Sequence, residues 1–178
     1  MLAIDPRPGN ATANCAADNI ALLDEAVARL PGSYRHDVLV RRDGAGFSHD
    51  LLTHIATGGG KRGRHWEFSV GWSCTETEIE AIGRVPKGAW APAIDRDGEV
   101  LDDTFVSDLT GLLEVSGWTQ ATPGIRVIVR DEPLHPRYRK RATDREKKLG
   151  RRYQLIATNT KVGQIAWIDA RHRSHVHV

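Results

Sequence analysis

The sequence predicts an α/β domain in which a sheet is flanked by helices and interrupted by a basic insertion. Short strand-like runs alternate along the chain with segments of helical periodicity, which is the pattern of α/β proteins. The chain has 178 residues, 40% of them hydrophobic and 27% charged, which suffices for one domain with a sizeable core. A strongly basic stretch separates the last two predicted strands and is interpreted as an excursion from the sheet.

The first third of the chain predicts a helix, a strand and a second helix. Apolar residues at helical spacing indicate a helix over residues 14–30, which the Pro31-Gly32 pair would end. Residues 37–42 predict a buried strand. The second helix is expected over residues 48–56, with Ser48 as its N-cap and three consecutive glycines after it.

The middle of the chain predicts two strands and two short helices. Residues 65–72 alternate between apolar and polar side chains, which is typical of a strand. A short helix is expected from Thr75 to residue 85, because Glu78 completes a capping box with Thr75. Residues 89–100 predict a strand followed by a turn at Asp97-Gly98, and residues 108–113 predict a further helical turn.

The last third predicts two strands with the basic stretch between them, and then a final helix. The strands are expected over residues 125–132 and 152–160, and the helix over residues 163–175. The intervening residues then form an insertion over residues 132–151, with the two strands as the arms of a hairpin.

The charge of the chain is concentrated in residues 137–152, which we call the basic segment. It holds nine Lys or Arg against Asp144 and Glu146, a net +7, so that the rest of a chain of net charge +2 sums to −5. One interpretation is a solvated loop, and the other is a surface that contacts the phosphates of a polyanion. Tyr138 and Tyr153 would then be placed to stack on bases. The candidate contacts to a DNA backbone are Arg137, Arg139, Lys140, Arg141, Lys147, Lys148, Arg151 and Arg152.

Other features of the sequence point away from a membrane protein and from a structural zinc site. No apolar run approaches the roughly 20 residues that span a bilayer, and the first residues lack the pattern of a signal peptide. Cys15 and Cys74 are isolated, which favours a reducing cytoplasm. His172 and His175 lie three residues apart, a spacing that can share a metal, but no further ligand completes a site, and an ordinary polar helix face or a frayed tail is the favoured interpretation.

Asp43 stands where a predicted strand ends and a glycine-rich turn begins, in the sequence VLVRRDGAGF. Catalytic groups of open α/β sheets gather beyond the carboxyl ends of strands. A plain turn is one interpretation, and a phosphate-binding loop is a second that lacks the usual lysine. The third is a metal-binding carboxylate at the tip of a central strand, which requires further ligands from elsewhere.

Four segments follow one another in a specific order along nearly the whole chain: RPGNATANCAADNIALLDEAVARLP, VLVRRDGAGFSHDLL, WEFSVGW and RYQLIATNTKVGQIAWIDARHRSH. Their order and spacing resemble the DDE-type transposases of bacterial insertion sequences. The resemblance implies a ribonuclease-H-like core with a mixed sheet, in which three carboxylates hold two Mg²⁺ (or Mn²⁺) ions for DNA cleavage and strand transfer. Asp43 matches the second of the two aspartates in that set.

The resemblance also implies that two of the three carboxylates lie outside this sequence. The family's first aspartate is expected before RPGN, and its glutamate just after the Arg/His-rich segment at the end of the chain. The expectation is therefore a single partial catalytic domain, truncated at both ends and inactive by itself. Its expected partners are DNA and either a full-length transposase or a second copy of the chain, with no membrane partner.

Three alternatives stay open beside this interpretation. The chain is a non-catalytic fragment that binds DNA through the basic segment, or an unrelated α/β enzyme that uses a pocket near Asp43 for a small molecule. The third alternative is a decayed gene product without a stable core.

Overall fold

A computed structural model describes residues 16–43, 48–113 and 124–174 of the chain. The strands are, in chain order, β1 (Asp37–Asp43), β2 (His65–Ser73), β3 (Ala91–Ile94), β4 (Val100–Asp108), β5 (Arg126–Pro133) and β6 (Arg151–Thr158). The helices are α1 (Ala16–Ala28), α2 (His49–Ala56), α3 (Glu76–Gly83), α4 (Asp144–Leu149) and α5 (Ile165–Arg173).

The six strands form one mixed sheet flanked by helices, in the order β1-β2-β6-β5-β4-β3. β4 pairs antiparallel with both of its neighbours: Ala91 of β3 lies opposite Val106, and Asp131 of β5 lies opposite Phe105. The predicted α/β class, with a mixed sheet and flanking helices, is confirmed.

Side-chain caps fix the starts of α2 and α3, as the sequence predicted. Ser48 Oγ accepts a hydrogen bond from the backbone N–H of Leu51 at 3.2 Å, which satisfies a free donor in the first turn of α2. Thr75 and Glu78 form the predicted capping box of α3. Strong local capping signals thus located both helices to within two or three residues.

The stretch after β4 corrects the sequence prediction, because residues 108–113 are not helical. Leu109 is fully buried, and its backbone N–H donates to the carbonyl of Val127 at 2.7 Å. Thr110 Oγ1 accepts from the N–H of Val127 at 3.1 Å. These bonds hold the stretch against β5, and pairing with a distant strand overrides a weak local helix pattern. The sequence reading also missed β4, whose consecutive Asp102 and Asp103 interrupt the strand-like alternation.

The described residues divide into two compact units. Residues 16–43, 48–70, 124–125 and 158–160 belong to the first unit, and residues 71–113, 126–157 and 161–174 to the second. The predicted single partial catalytic domain is not tested by this division and stays a prediction.

The core of the first unit is formed by buried apolar side chains of α1, α2 and β2. Its buried apolar side chains include Val27, Leu51, Leu52, Ile55, Trp66 and Phe68. Asn159 extends the pairing beyond the end of β6, because its side chain accepts from the N–H of Phe68 at 2.8 Å and donates to the carbonyl of Trp66 at 3.0 Å. One amide side chain thereby replaces the two hydrogen bonds that a continuing strand would make.

The second unit packs α5 on the face of β3, β4 and β5, where Ala93, Val106, Ile128 and Ile168 form a buried cluster. Gly71 of β2 allows His172 of α5 to approach closely. A Cβ at position 71 would lie 3.2 Å from His172 Nε2, closer than most real contacts allow.

A closed ring of hydrogen-bonded side chains joins α5 to β5 and β6 within the second unit. Asp169 is fully buried, and its two carboxylate oxygens accept from Arg130 Nη1 at 2.7 Å and from Arg173 Nε at 2.8 Å. Arg130 Nε donates to Glu132 at 2.9 Å, and Arg173 Nη1 donates to Gln154 Oε1 at 2.6 Å. Gln154 Nε2 closes the ring on Glu132 at 2.6 Å. Each buried charge therefore has an oppositely charged partner.

Replacing Asp169 with alanine is expected to destabilise the protein strongly. The change removes one of the two carboxylates that pair with the buried guanidinium of Arg130, and breaking a buried pair in this way costs about 3–5 kcal/mol. Urea denaturation followed by circular dichroism measures the loss.

Asp97→Ala is the matched control, because Asp97 pairs with Arg96 on an exposed turn. Its expected change is within about 0.5 kcal/mol, as for other exposed ion pairs. Equal midpoints for the two variants would contradict the structural role of the ring.

Candidate nucleic-acid interface

The basic segment forms an ordered connection between the neighbouring strands β5 and β6. A short 3₁₀ turn spans Pro136–Tyr138, and α4 follows after a capping box in which Thr143 Oγ1 accepts from the N–H of Glu146 at 3.2 Å. Gly150 ends α4 at φ 65°, a left-handed conformation that suits glycine. The N–H of Leu134 donates to the Gly150 carbonyl at 2.9 Å and ties the two ends of the segment together.

Several predicted DNA contacts present free positive charge to solvent. Arg139, Lys140, Arg141 and Lys148 are exposed, and within the described part of the chain they form no ion pair. Lys147 is also exposed, and its Nζ forms an ion pair with Asp144 Oδ1 at 3.2 Å. Unpaired cations on an ordered backbone are the groups that displace counterions from a polyanion.

Arg151 differs from the rest of the predicted set because its guanidinium is already engaged. It donates to Asp131 Oδ1 at 2.8 Å, to Asp103 Oδ2 at 2.7 Å and to the Asp103 carbonyl at 3.0 Å. Asp103 has φ 45°, and the two bonds from Arg151 help to hold this uncommon backbone conformation. Arg151 therefore has the least charge to offer a phosphate.

Arg137 and Arg152 both lie against the ring of Tyr138. Their Cζ atoms are 4.6 and 4.8 Å from the ring centre, within the range of cation–π contacts. Arg137 Nη2 also donates to the Tyr138 hydroxyl at 2.7 Å. Tyr138 thus positions two guanidinium groups, whereas the sequence prediction assigned it to stacking on bases. Burial, with a smaller contribution from Asp131, raises the pKa of the other candidate, Tyr153.

Asp43 is the last residue of β1, so the predicted strand end is confirmed. The prediction that this strand is central is wrong for the described sheet, because β1 stands first in the order of the described strands, with β2 as its neighbour among them. The side chain of Asp43 and residues 44–47, where the turn is predicted, lie outside the described residues, and the role of Asp43 as metal ligand stays a prediction.

The described residues do not supply a complete metal-ligand set. In residues 16–43, 48–113 and 124–174, no three His, Cys, Asp or Glu side chains lie close enough to hold an ion. His172 is buried beside Gly71, while its proposed partner His175 falls outside the described part. Asp169 belongs to the ring described above and has both oxygens bound by guanidinium groups.

Comparisons of the chain with models of protein families, with curated proteins and with solved structures found no match. Among the described helices, none combines the length and the apolar character that crossing a membrane requires.

The sequence reading missed two residues near the basic segment, His135 and Arg173. His135 lies two residues before the segment, and its Nδ1 accepts from the backbone N–H of Arg137 at 3.2 Å. Arg173 comes from α5. Together with Arg137 and Arg152 it lines a cavity beside the basic segment. The i, i+4 spacing of Asp169 and Arg173 was a visible signal for their ion pair, but no sequence signal placed α5 beside the segment.

The thiol of Cys74 is affected by its burial and by two carboxylates, Glu78 of α3 and Glu146 of α4. Burial raises the pKa of Cys74 to about 12, and the carboxylates of Glu78 and Glu146 add to the shift. The neutral thiol is thereby favoured over the thiolate, which is the reactive form.

Native Cys74 is expected to resist alkylation at pH 8. A rise in pKa from 9.0 to about 12 lowers the thiolate fraction by about a thousandfold relative to the unfolded chain. The measurement is the rate of iodoacetamide labelling in a Cys15→Ser variant, native and in urea. Comparable rates in the two states would contradict the buried position of this thiol.

Proposed function

We propose that this chain binds the phosphate backbone of DNA through the basic segment and is part of a DDE-type transposase catalytic core. The observation that supports DNA binding best is a group of exposed cations on an ordered segment that form no ion pair with another described residue. Arg139, Lys140 and Arg141 follow one another in the turn before α4, and Lys148 lies in its last turn. Such charge is attracted to phosphates at a distance, and an ordered segment loses less entropy on binding than a free loop.

The catalytic part of the proposal rests on the resemblance and on the place of Asp43 at the end of β1. In this proposal Asp43 is one of the carboxylates that hold Mg²⁺ or Mn²⁺ in the complete enzyme, and the reaction is cleavage and transfer of DNA strands. A cytoplasmic location, and association with a full-length transposase or a second copy of the chain, accompany it.

A second candidate function is DNA binding without catalysis. It is favoured by the state of Asp169, the acidic residue of the Arg/His-rich helix. Both of its oxygens are bound by Arg130 and Arg173, so this carboxylate is not available to a metal ion. In that role the chain would compete for DNA with a complete transposase.

Salt dependence tests the proposed DNA interface. Neutralising Arg139 and Lys140 to glutamine should lower the affinity for duplex DNA and reduce the slope of log K against log salt by about 2, because each lost phosphate contact removes about one unit. Fluorescence anisotropy of a labelled duplex over a series of salt concentrations gives both values.

The control replaces Lys61 and Arg62, two exposed cations of the first unit, by glutamine. The net charge changes by the same amount, and the expected slope is that of the parent chain. Equal slopes for the two double variants would show that net charge, rather than the basic segment, governs binding. Absence of duplex binding at low salt would overturn the proposed function.

Removal of metal separates binding from catalysis. Duplex binding is expected to persist in EDTA and in Asp43→Ala, because the proposed contacts are cationic side chains. We expect no Mg²⁺-dependent nicking by this chain alone, since one carboxylate binds a hard divalent ion poorly. Nicking of transposon-end DNA that Asp43→Ala abolishes would contradict this expectation and show a complete metal site.

A further inference from the structure

A cavity of about 450 Å³ opens beside the basic segment, entirely within the second unit. The first turn of the segment, the adjoining ends of β5 and β6, and the end of α5 contribute its walls. The side chains with polar groups at this cavity include Glu132, His135, Arg137, Tyr138, Arg152 and Arg173.

Three arginines line this cavity, and the guanidinium group of each has a contact that positions it. Arg137 is held by the Tyr138 hydroxyl, and Arg152 lies against the Tyr138 ring. Arg173 is fixed by the buried carboxylate of Asp169, and its Nη2 makes no hydrogen bond to another described residue. Guanidinium groups that are positioned before a ligand arrives lose little entropy on binding it.

His135 adds a neutral donor with a defined direction. Its Nδ1 accepts from the backbone N–H of Arg137, so the proton of the neutral ring lies on Nε2. The tautomer that caps the 3₁₀ turn is therefore the one that can donate from the opposite edge of the ring.

The charges of Glu132 and Asp169 are balanced by Arg130 and Arg173, so Arg137 and Arg152 carry the excess positive charge at the cavity. One oxygen of Glu132 accepts from Arg130 Nε at 2.9 Å, and the other accepts from Gln154 at 2.6 Å and lies 3.8 Å from Arg152. The cavity thus offers several donors, while its one carboxylate has partners on both oxygens.

We propose that this cavity binds a phosphate group, with Arg152 as its central forked contact. The inference rests on the proposed DNA binding and names the part of DNA that this site takes. Phosphate oxygens are pure acceptors and match guanidinium donors in pairs. A base edge would also need free acceptors, and stacking would need the ring of Tyr138, which Arg137 and Arg152 already contact.

The test uses a substitution that keeps charge and removes the fork. Arg152→Lys should weaken binding of a short duplex roughly three- to tenfold, because an ammonium group cannot make two parallel bonds to one phosphate. Arg62→Lys, in the first unit and outside the basic segment, is the matched control. Its guanidinium is exposed and unpaired in the described part, and the expected affinity is unchanged. Both variants keep the net charge, so the salt slope should stay constant.

Inorganic phosphate is the second probe and distinguishes a DNA phosphate from a free one. At matched ionic strength, phosphate should displace the duplex from the parent chain more effectively than chloride does, and Arg152→Lys should lose this excess. Phosphate binding that depends on Arg152, with equal duplex affinity in the two Lys variants, would assign the cavity to a free phosphate group and overturn its role in DNA binding.

Tyr138→Phe provides a second variant with a smaller structural change. It removes the hydroxyl that holds Arg137 and should reduce the phosphate effect while the thermal unfolding midpoint stays close to that of the parent. If Arg152→Lys and Tyr138→Phe both behave like Arg62→Lys with duplex and with phosphate, the cavity is not a phosphate site, although DNA binding by the basic segment stands. If the parent chain binds no duplex, the proposed function falls, and calorimetric titration of the parent chain and of Arg152→Lys with inorganic phosphate decides the inference: equal or absent binding in the two would overturn it.

Discussion

The buried carboxylate of Asp169 is the constraint on which the second unit depends. It has no access to solvent and is stabilised by two guanidinium groups, one from β5 and one from its own helix. Because Glu132 and Gln154 complete the ring, the positions of α5, β5 and β6 are coupled through five side chains. A buried ion pair adds little net stability compared with apolar packing, but it penalises any arrangement that leaves one charge unpaired.

This ring lies at the base of the basic segment, and that placement explains how so much positive charge is held in order. Glu132 and Gln154 belong to the strands that enter and leave the segment. Close to them, Arg151 bonds to Asp131, and the backbone of Leu134 meets that of Gly150. Mutual repulsion among the cations therefore acts on a segment whose two ends are fixed.

The cations in and near the basic segment fall into two groups with different surroundings. Cations in the turn before α4 are exposed and unpaired among the described residues, which suits long-range attraction to a polyanion. Arg137, Arg152 and Arg173 are directed by a tyrosine and by a buried carboxylate, which suits contact with one phosphate at defined geometry. A count of positive residues cannot separate these two kinds of cation.

Local signals in the sequence determined the α/β class, the caps of α2 and α3, and the place of the basic connection between the last two strands, because each depends on residues close together in the chain. Ser48 and Thr75 could be identified as caps since their partners lie three residues away. The tertiary structure alone decided the edge position of β1, the pairing of residues 109–110 with β5, and the approach of Arg173 to the segment. These features join residues far apart in the chain, and no local pattern encodes which distant partner a buried polar group will find.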